Sequence, residues 1–162
     1  MSVQVTGADE LKYLLRQAGE RAVKGAFDQM RKEAKRIESL AKQMAPVDEG
    51  DLEDAIQMVE TGGGRDNLGR FSRKSITIEV DMNASAGVDS QGRPRTVGAY
   101  AYTMHEHLTP YGEFRLGKKS RAKQASQSVM VGGKYLERAM EEVMPGLIER
   151  VVKHVREELA GD

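Results

Sequence analysis

The chain has no cysteine and no tryptophan, and only four prolines, five tyrosines and three phenylalanines among 162 residues. Without cysteine there is no disulfide framework and no thiolate to act as nucleophile or ligand, which fits a reducing compartment. Charge of one sign is also lacking. The 25 basic residues balance 25 acidic ones, so no global field selects nucleic acid or a membrane surface as partner. No apolar run approaches the ~20 residues needed to span a bilayer. Met1-Ser2-Val3-Gln4-Val5 has neither the charged start nor the apolar centre of a secretory leader. The expectation is a soluble protein of one domain, 1–162, made in a cytoplasm and with no membrane partner.

What the chain has in quantity is helix-forming sequence. From residue 8 to 44, Leu11, Leu15, Ala18, Ala22, Phe27, Met30, Ala34, Ile37, Leu40, Ala41 and Met44 recur at three- and four-residue steps, the mark of one apolar stripe. A helix of that reach measures roughly 55 Å at ~1.5 Å per residue, more than a small domain can cover. Gly19 and Gly25 are its weak points, and a bend or break is expected near them. Nine methionines against three phenylalanines describe a core suited to helix packing.

The middle of the chain reads as a sheet region, 56–105. A helical turn at 52–55 precedes a strand at 56–61. Ile76, Ile78, Val80 and Met82 alternate with Thr77, Glu79 and Asp81, which predicts a half-buried strand. Residues 83–95 read as a loop, and 96–105 as a further strand with Tyr100 and Tyr102 opposite Ala99 and Ala101. Residues 108–131, rich in Gly, Ser, Lys and Arg, read as a flexible basic loop. The closing segment, 133–159, is helical through Leu136, Met140, Val143, Leu147, Val151, Val155 and Leu159, with a kink expected at Pro145.

Catalytic chemistry finds little purchase. His105-Glu106-His107 places two imidazoles on one face of a strand, a spacing that can serve a metal, and a metal-dependent hydrolase would be built there. The zincin arrangement needs a second His where Thr109 stands, so a strand end facing solvent or a neighbour is the better reading. No serine lies in a nucleophile elbow, and Gly62-Gly63-Gly64-Arg65 lacks the Lys-Ser/Thr ending of a phosphate loop. Gly132-Gly133 reads as a hinge that aims the last helix. No catalytic residue, metal or cofactor is expected. The basic segments 65–74 and 115–123 hold nine positive residues against Asp66, and a surface made of both would attract phosphates without sequence preference. A small non-sequence-specific nucleic-acid-binding module acting through these loops is therefore the alternative reading of function.

The most informative stretch is Ala45-Pro46-Val47-Asp48-Glu49-Gly50-Asp51-Leu52. Pro46 cannot continue a helix, Gly50 can take φ > 0 to set the turn, and Asp51 can cap the first turn of the next element. In order with Tyr100-Ala101, Glu106 and Gly133-Lys134-Tyr135-Leu136-Glu137-Arg138-Ala139, this junction resembles the tail-component, or tail-completion, proteins of long-tailed bacteriophages. The resemblance runs from about Ala41 to Ala139.

That resemblance implies an α+β fold, a small antiparallel β-sheet packed with a long N-terminal helix and a C-terminal helix. It further implies a structural virion protein, not an enzyme: an oligomeric ring at the head–tail junction with a channel for DNA. Its partners would be further copies of itself, head-connector and tail-tube or terminator proteins, and DNA in the lumen; its place is the tail or neck of the virion, after synthesis in the host bacterial cytoplasm. Tyr100, Tyr102 and Glu106 are then expected at a sheet edge or subunit contact. Arg115, Lys118, Lys119, Arg121 and Lys123 are expected to face a neighbouring protein or DNA, with Pro46 and Gly50 setting the turn.

Overall fold

The computed structural model describes residues 8–47, 50–63, 74–106 and 116–161. In order they form helices α1 (Ala8–Met44) and α2 (Asp51–Ala55), strands β1 (Ile56–Thr61), β2 (Ser75–Val80), β3 (Ser85–Val88) and β4 (Pro94–Thr96), then helices α3 (Gly98–Glu106), α4 (Lys118–Ala125), α5 (Tyr135–Val143) and α6 (Leu147–Ala160). The fold is α+β, as expected from the resemblance. Two compact units divide it, Met1–Glu33 with Gly146–Asp162, and Ala34–Pro145; α1 begins in the first and ends in the second.

The larger unit holds the core. Ile37, Ala41 and Met44 from the last turns of α1 pack with Leu52 and Ala55 of α2, Ile56 of β1, Ala86 of β3, Val97, Ala101 of α3, and Tyr135, Ala139 and Val143 of α5. Small residues dominate, and Tyr135 is the largest side chain that is fully buried. β1 and β2 pair antiparallel from Ile56↔Val80 to Thr61↔Ser75. Ile76, Ile78 and Val80 are half-buried while Ser75, Thr77 and Glu79 are exposed, the alternation read from the sequence.

Three expectations for this region need correction. The stretch read as a loop at 83–95 contains β3, which pairs antiparallel with β4 to make a second two-stranded sheet. Asp89 closes that hairpin: its carboxylate accepts the Gln91 and Arg93 backbone N–H groups and the Arg93 Nε at 2.7 Å. The stretch read as a strand at 96–105 is instead helix α3. Extended pairing ends where the Val97 N–H reaches the Ala84 carbonyl and the Gly98 N–H the Met82 carbonyl. A Cβ on residue 98 would lie 2.8 Å from that Met82 oxygen, so only glycine permits the approach. Ala99-Tyr100-Ala101-Tyr102 alternates in chemistry, yet the chain buries Val97 and Ala101 and half-buries Met104 and His105, which is a helical period. Thirdly, the supposed basic loop at 108–131 includes α4.

The smaller unit is a pair of antiparallel helical segments, α1 up to Glu33 and α6. Glu33, 5% exposed, receives Arg150 Nε at 2.7 Å and Arg150 Nη2 at 3.0 Å, with Gln29 Nε2 adding a third bond at 2.8 Å. This forked geometry matches two donors to two carboxylate oxygens. Eight residues earlier, α1 passes α6 at Gly25, where an added Cβ would meet Glu158 Cγ at 3.0 Å and Glu158 Cβ at 3.3 Å. No break occurs near Gly19 and Gly25, since α1 is continuous over 37 residues. Gly25 serves instead as the point of close approach between helices. The expected interruption at Pro145 is present: α5 stops at Val143 and α6 restarts after Gly146, whose φ of 72° only glycine adopts freely.

Candidate functional site

The junction after α1 is where the sequence pattern and the structure converge. An α-helix leaves its last four carbonyls without intrahelical partners, and in α1 these belong to Ala41, Lys42, Gln43 and Met44. Each is satisfied. The Ala41 carbonyl accepts the Ala45 N–H at 2.8 Å, and that of Met44 accepts the Gly132 N–H at 2.9 Å. Lys123 Nζ donates to the Lys42 carbonyl at 2.6 Å and Gln127 Nε2 to that of Gln43 at 2.8 Å. Lys123 Nζ also reaches the Ala45 carbonyl at 2.8 Å and Glu53 Oε1 at 2.7 Å, which uses all three ammonium protons.

One residue further on, the Ser120 hydroxyl accepts the Val47 N–H at 2.9 Å and donates to the Val47 carbonyl at 2.8 Å. Pro46 is buried between these bonds, and Gly50, at φ 100°, occupies the position before α2. Pro46 and Gly50 thus stand at the turn as the sequence suggested, with one correction: Gly50 itself is the residue preceding the first helical turn, and Asp51 is already inside the helix.

α4 therefore has two faces of opposite use. Ser120, Lys123 and Gln124, with Gln127 just past the helix end, turn toward the protein; Gln124 holds the Val131 N–H through Oε1 at 2.6 Å. Lys118, Lys119 and Arg121 are exposed. Of the cations expected to face a partner, Lys123 is turned inward, its side chain 16% exposed, and is part of the fold. Arg115 lies outside the described residues, as do His107 and most of the basic segment 65–74.

The tyrosines separate in the same way. Tyr102 on α3 is exposed, whereas Tyr100 is half-buried with the Arg95 guanidinium 5.8 Å above its ring. Neither lies at a sheet edge, because both are on a helix. Glu106 closes α3. His105 sets its ring edge-on to Tyr135, centroids 4.9 Å apart, and its carbonyl accepts the Lys134 N–H. Burial, with the neighbouring Tyr100 adding to it, pushes the Tyr135 hydroxyl up to about 12. His105 thus meets an aromatic ring, and no group of three or more potential ligands that could hold a metal ion occurs among the described residues.

Ser120, Lys123, Gln124 and Gln127 carry the junction, and the apolar pattern gives no sign of them. A signal exists. Ser120, Lys123 and Gln124 recur at helical spacing, with Gln127 just past the helix end, so α4 has a stripe, but it is polar and meets the backbone N–H and carbonyl groups of other segments.

Exposed apolar residues occur in both units, among them Val88 and Met140 in the larger one. In the smaller unit Leu11, Leu14, Leu15 and Val23 of α1 and Ile148 of α6 are all more than half exposed. No described helix is long and apolar enough to cross a membrane.

The family model described as the bacteriophage HK97-gp10 tail-component, HK97-gp10-like, matches residues 9–102, more than half of the 162-residue chain. No curated protein and no solved structure matches the chain.

Proposed function

Starting from a chain that belongs to the HK97-gp10-like family of bacteriophage tail components, we propose that it forms an oligomeric ring at the head–tail junction, leaving a channel for DNA. Membership of the family makes it a structural protein of the phage tail, found in the virion and in contact with other virion proteins. The ring, its place in the neck and its role in tail completion are the finer reading.

One observation carries that reading. Two helical segments cannot enclose a core by themselves, and Leu11, Leu14, Leu15 and Val23 are left facing water on α1, with Ile148 and Val152 on α6. Apolar surface of this extent is stabilised when neighbouring subunits cover it. Head-to-tail contacts between copies close into a ring when the rotation closes. Head-connector and tail-tube or terminator proteins would occupy the two faces of such a ring. Exposed Tyr102 suits a contact of this kind, since tyrosine is enriched in interface centres.

Native mass spectrometry of the purified protein and of disassembled virions tests the reading. A single closed multimer with the chain present in the particle is expected. A strictly monomeric chain at concentrations of about 100 μM, absent from particles, refutes it.

A further inference from the structure

Among the described helices, α4 alone carries no acidic residue. Five surface cations elsewhere are matched along their own helices or turns: Arg31 with Asp28, Lys42 with Glu38, Arg93 with Asp89, Lys134 with Glu137, Lys153 with Glu157. Other exposed cations, such as Lys32, Lys35 and Arg36, lie on helices that also carry carboxylates. Lys118, Lys119 and Arg121 have no such match among the described residues and stand exposed on one short helix. Two of them occupy its first turn, where the helix dipole disfavours positive charge. The arrangement gains nothing for the fold of this chain, because the residues that hold α4 in place are Ser120, Lys123 and Gln124 on its other side and Gln127 just beyond its end.

We propose that the outer face of α4 binds the phosphate backbone of DNA, through Lys118, Lys119 and Arg121. The chemistry of the face selects nucleic acid over an acidic protein. On the helix itself the other exposed residues are Ala122 and Ala125, followed by exposed Ser126, and the helix holds no aromatic, leucine or methionine. Protein interfaces take their binding energy from buried aromatic and aliphatic anchors, and this face has none. Phosphate contacts need only Lys, Arg and small hydroxyl side chains and carry no sequence information. Docking through Lys123 and Gln127 fixes the helix, so the cations are presented from a folded support.

The inference takes from the ring reading only the place where DNA would meet this face; the contact depends on the chain's own residues. The test uses the full-length protein and a fluorescent duplex of about 20 bp and arbitrary sequence, with anisotropy measured from about 50 to about 200 mM salt. Three phosphate contacts predict a slope of log K on log salt near −2.7, a loss of about 40-fold over that range. The combined variant Lys118→Gln, Lys119→Gln, Arg121→Gln should lower that slope by about that amount while keeping the wild-type circular dichroism spectrum. An unrelated duplex should bind equally well.

Wild-type protein that does not bind at about 50 mM salt overturns the proposal. So does a triple variant with unchanged affinity and slope, or a polyglutamate peptide that competes as well as DNA at equal charge. Oligomeric state measured on the same samples separates the two ideas: a ring indifferent to DNA refutes only the α4 face, and a DNA-binding monomer refutes only the ring.

Discussion

The ammonium of Lys123 lies 2.6 Å from the carbonyl oxygen of Lys42, 81 residues earlier in the chain. A side chain here does the work usually left to a glycine or to water at the end of a helix. The positive charge also sits at the negative end of the α1 dipole, where it is favourable.

Replacing it should therefore be costly. Lys123→Met removes three charge-assisted hydrogen bonds and leaves two part-buried carbonyls open, and a loss of about 2–4 kcal/mol is expected. Lys118→Met, on the opposite face, should stay within about 0.5 kcal/mol. Urea denaturation monitored by circular dichroism compares the two. Equal effects would mean that Lys123 does not cap α1.

The two glycines of α1 should respond in opposite directions. Nothing lies within 4 Å of a Cβ built on Gly19, so Gly19→Ala should stabilise the helix by up to about 1 kcal/mol. Gly25→Leu drives a side chain into Glu158 and the α6 backbone near Val155. It should cost about 1–3 kcal/mol and raise amide exchange along α6. Thermal melting with hydrogen exchange by mass spectrometry reads both.

Lys134 is the one non-glycine residue at positive φ among those described, with φ 54° and ψ 28° just before α5. Lys134→Gly relieves the steric penalty and should be neutral or stabilising by a few tenths of a kcal/mol, the gain being offset by the entropy of glycine. Lys134→Val places a β-branched residue there and should cost about 1–2 kcal/mol. Chemical denaturation of the pair gives the difference.

Tyr135 supplies a pH dependence. Its hydroxyl ionises near 10 in an unfolded chain and at about 12 in the fold. The folded state favours the neutral phenol, so this contribution is complete below pH 10 and is lost as pH rises toward 12. Two pH units correspond to about 2–3 kcal/mol. Tyrosinate absorbance should show a late component that Tyr135→Phe removes, and the variant's stability should fall less steeply between pH 10 and 12.

The sequence is most legible where burial is apolar and regular. α1, α2, β1, β2 and the broken C-terminal helix all reflect stripes, alternation and Pro145. It is least legible where small residues let two periods coexist. Ala99-Tyr100-Ala101-Tyr102 alternates as a strand does, and the choice of helix depends on Gly98 meeting the Met82 carbonyl, a contact no local pattern contains. α4 escapes a search for apolar periodicity because its inward stripe is Ser, Lys and Gln. Its partners are mostly backbone N–H and carbonyl groups, which are the same for nearly every residue and so leave no trace in composition. The junction at Pro46 is recognisable as a turn, but what holds it emerges only when residues 120–132 are brought beside it.

The distance along the chain between Lys42 and Lys123 also orders events during translation. At ~5–20 residues per second, about 4–16 s separate the synthesis of the last turn of α1 from that of the ammonium that caps it. Through that interval the Lys42, Gln43 and Met44 carbonyls lack the partners that residues 123–132 supply. Maturation of the junction is thus timed by the ribosome, and completed only when the segment around Gly132 has emerged.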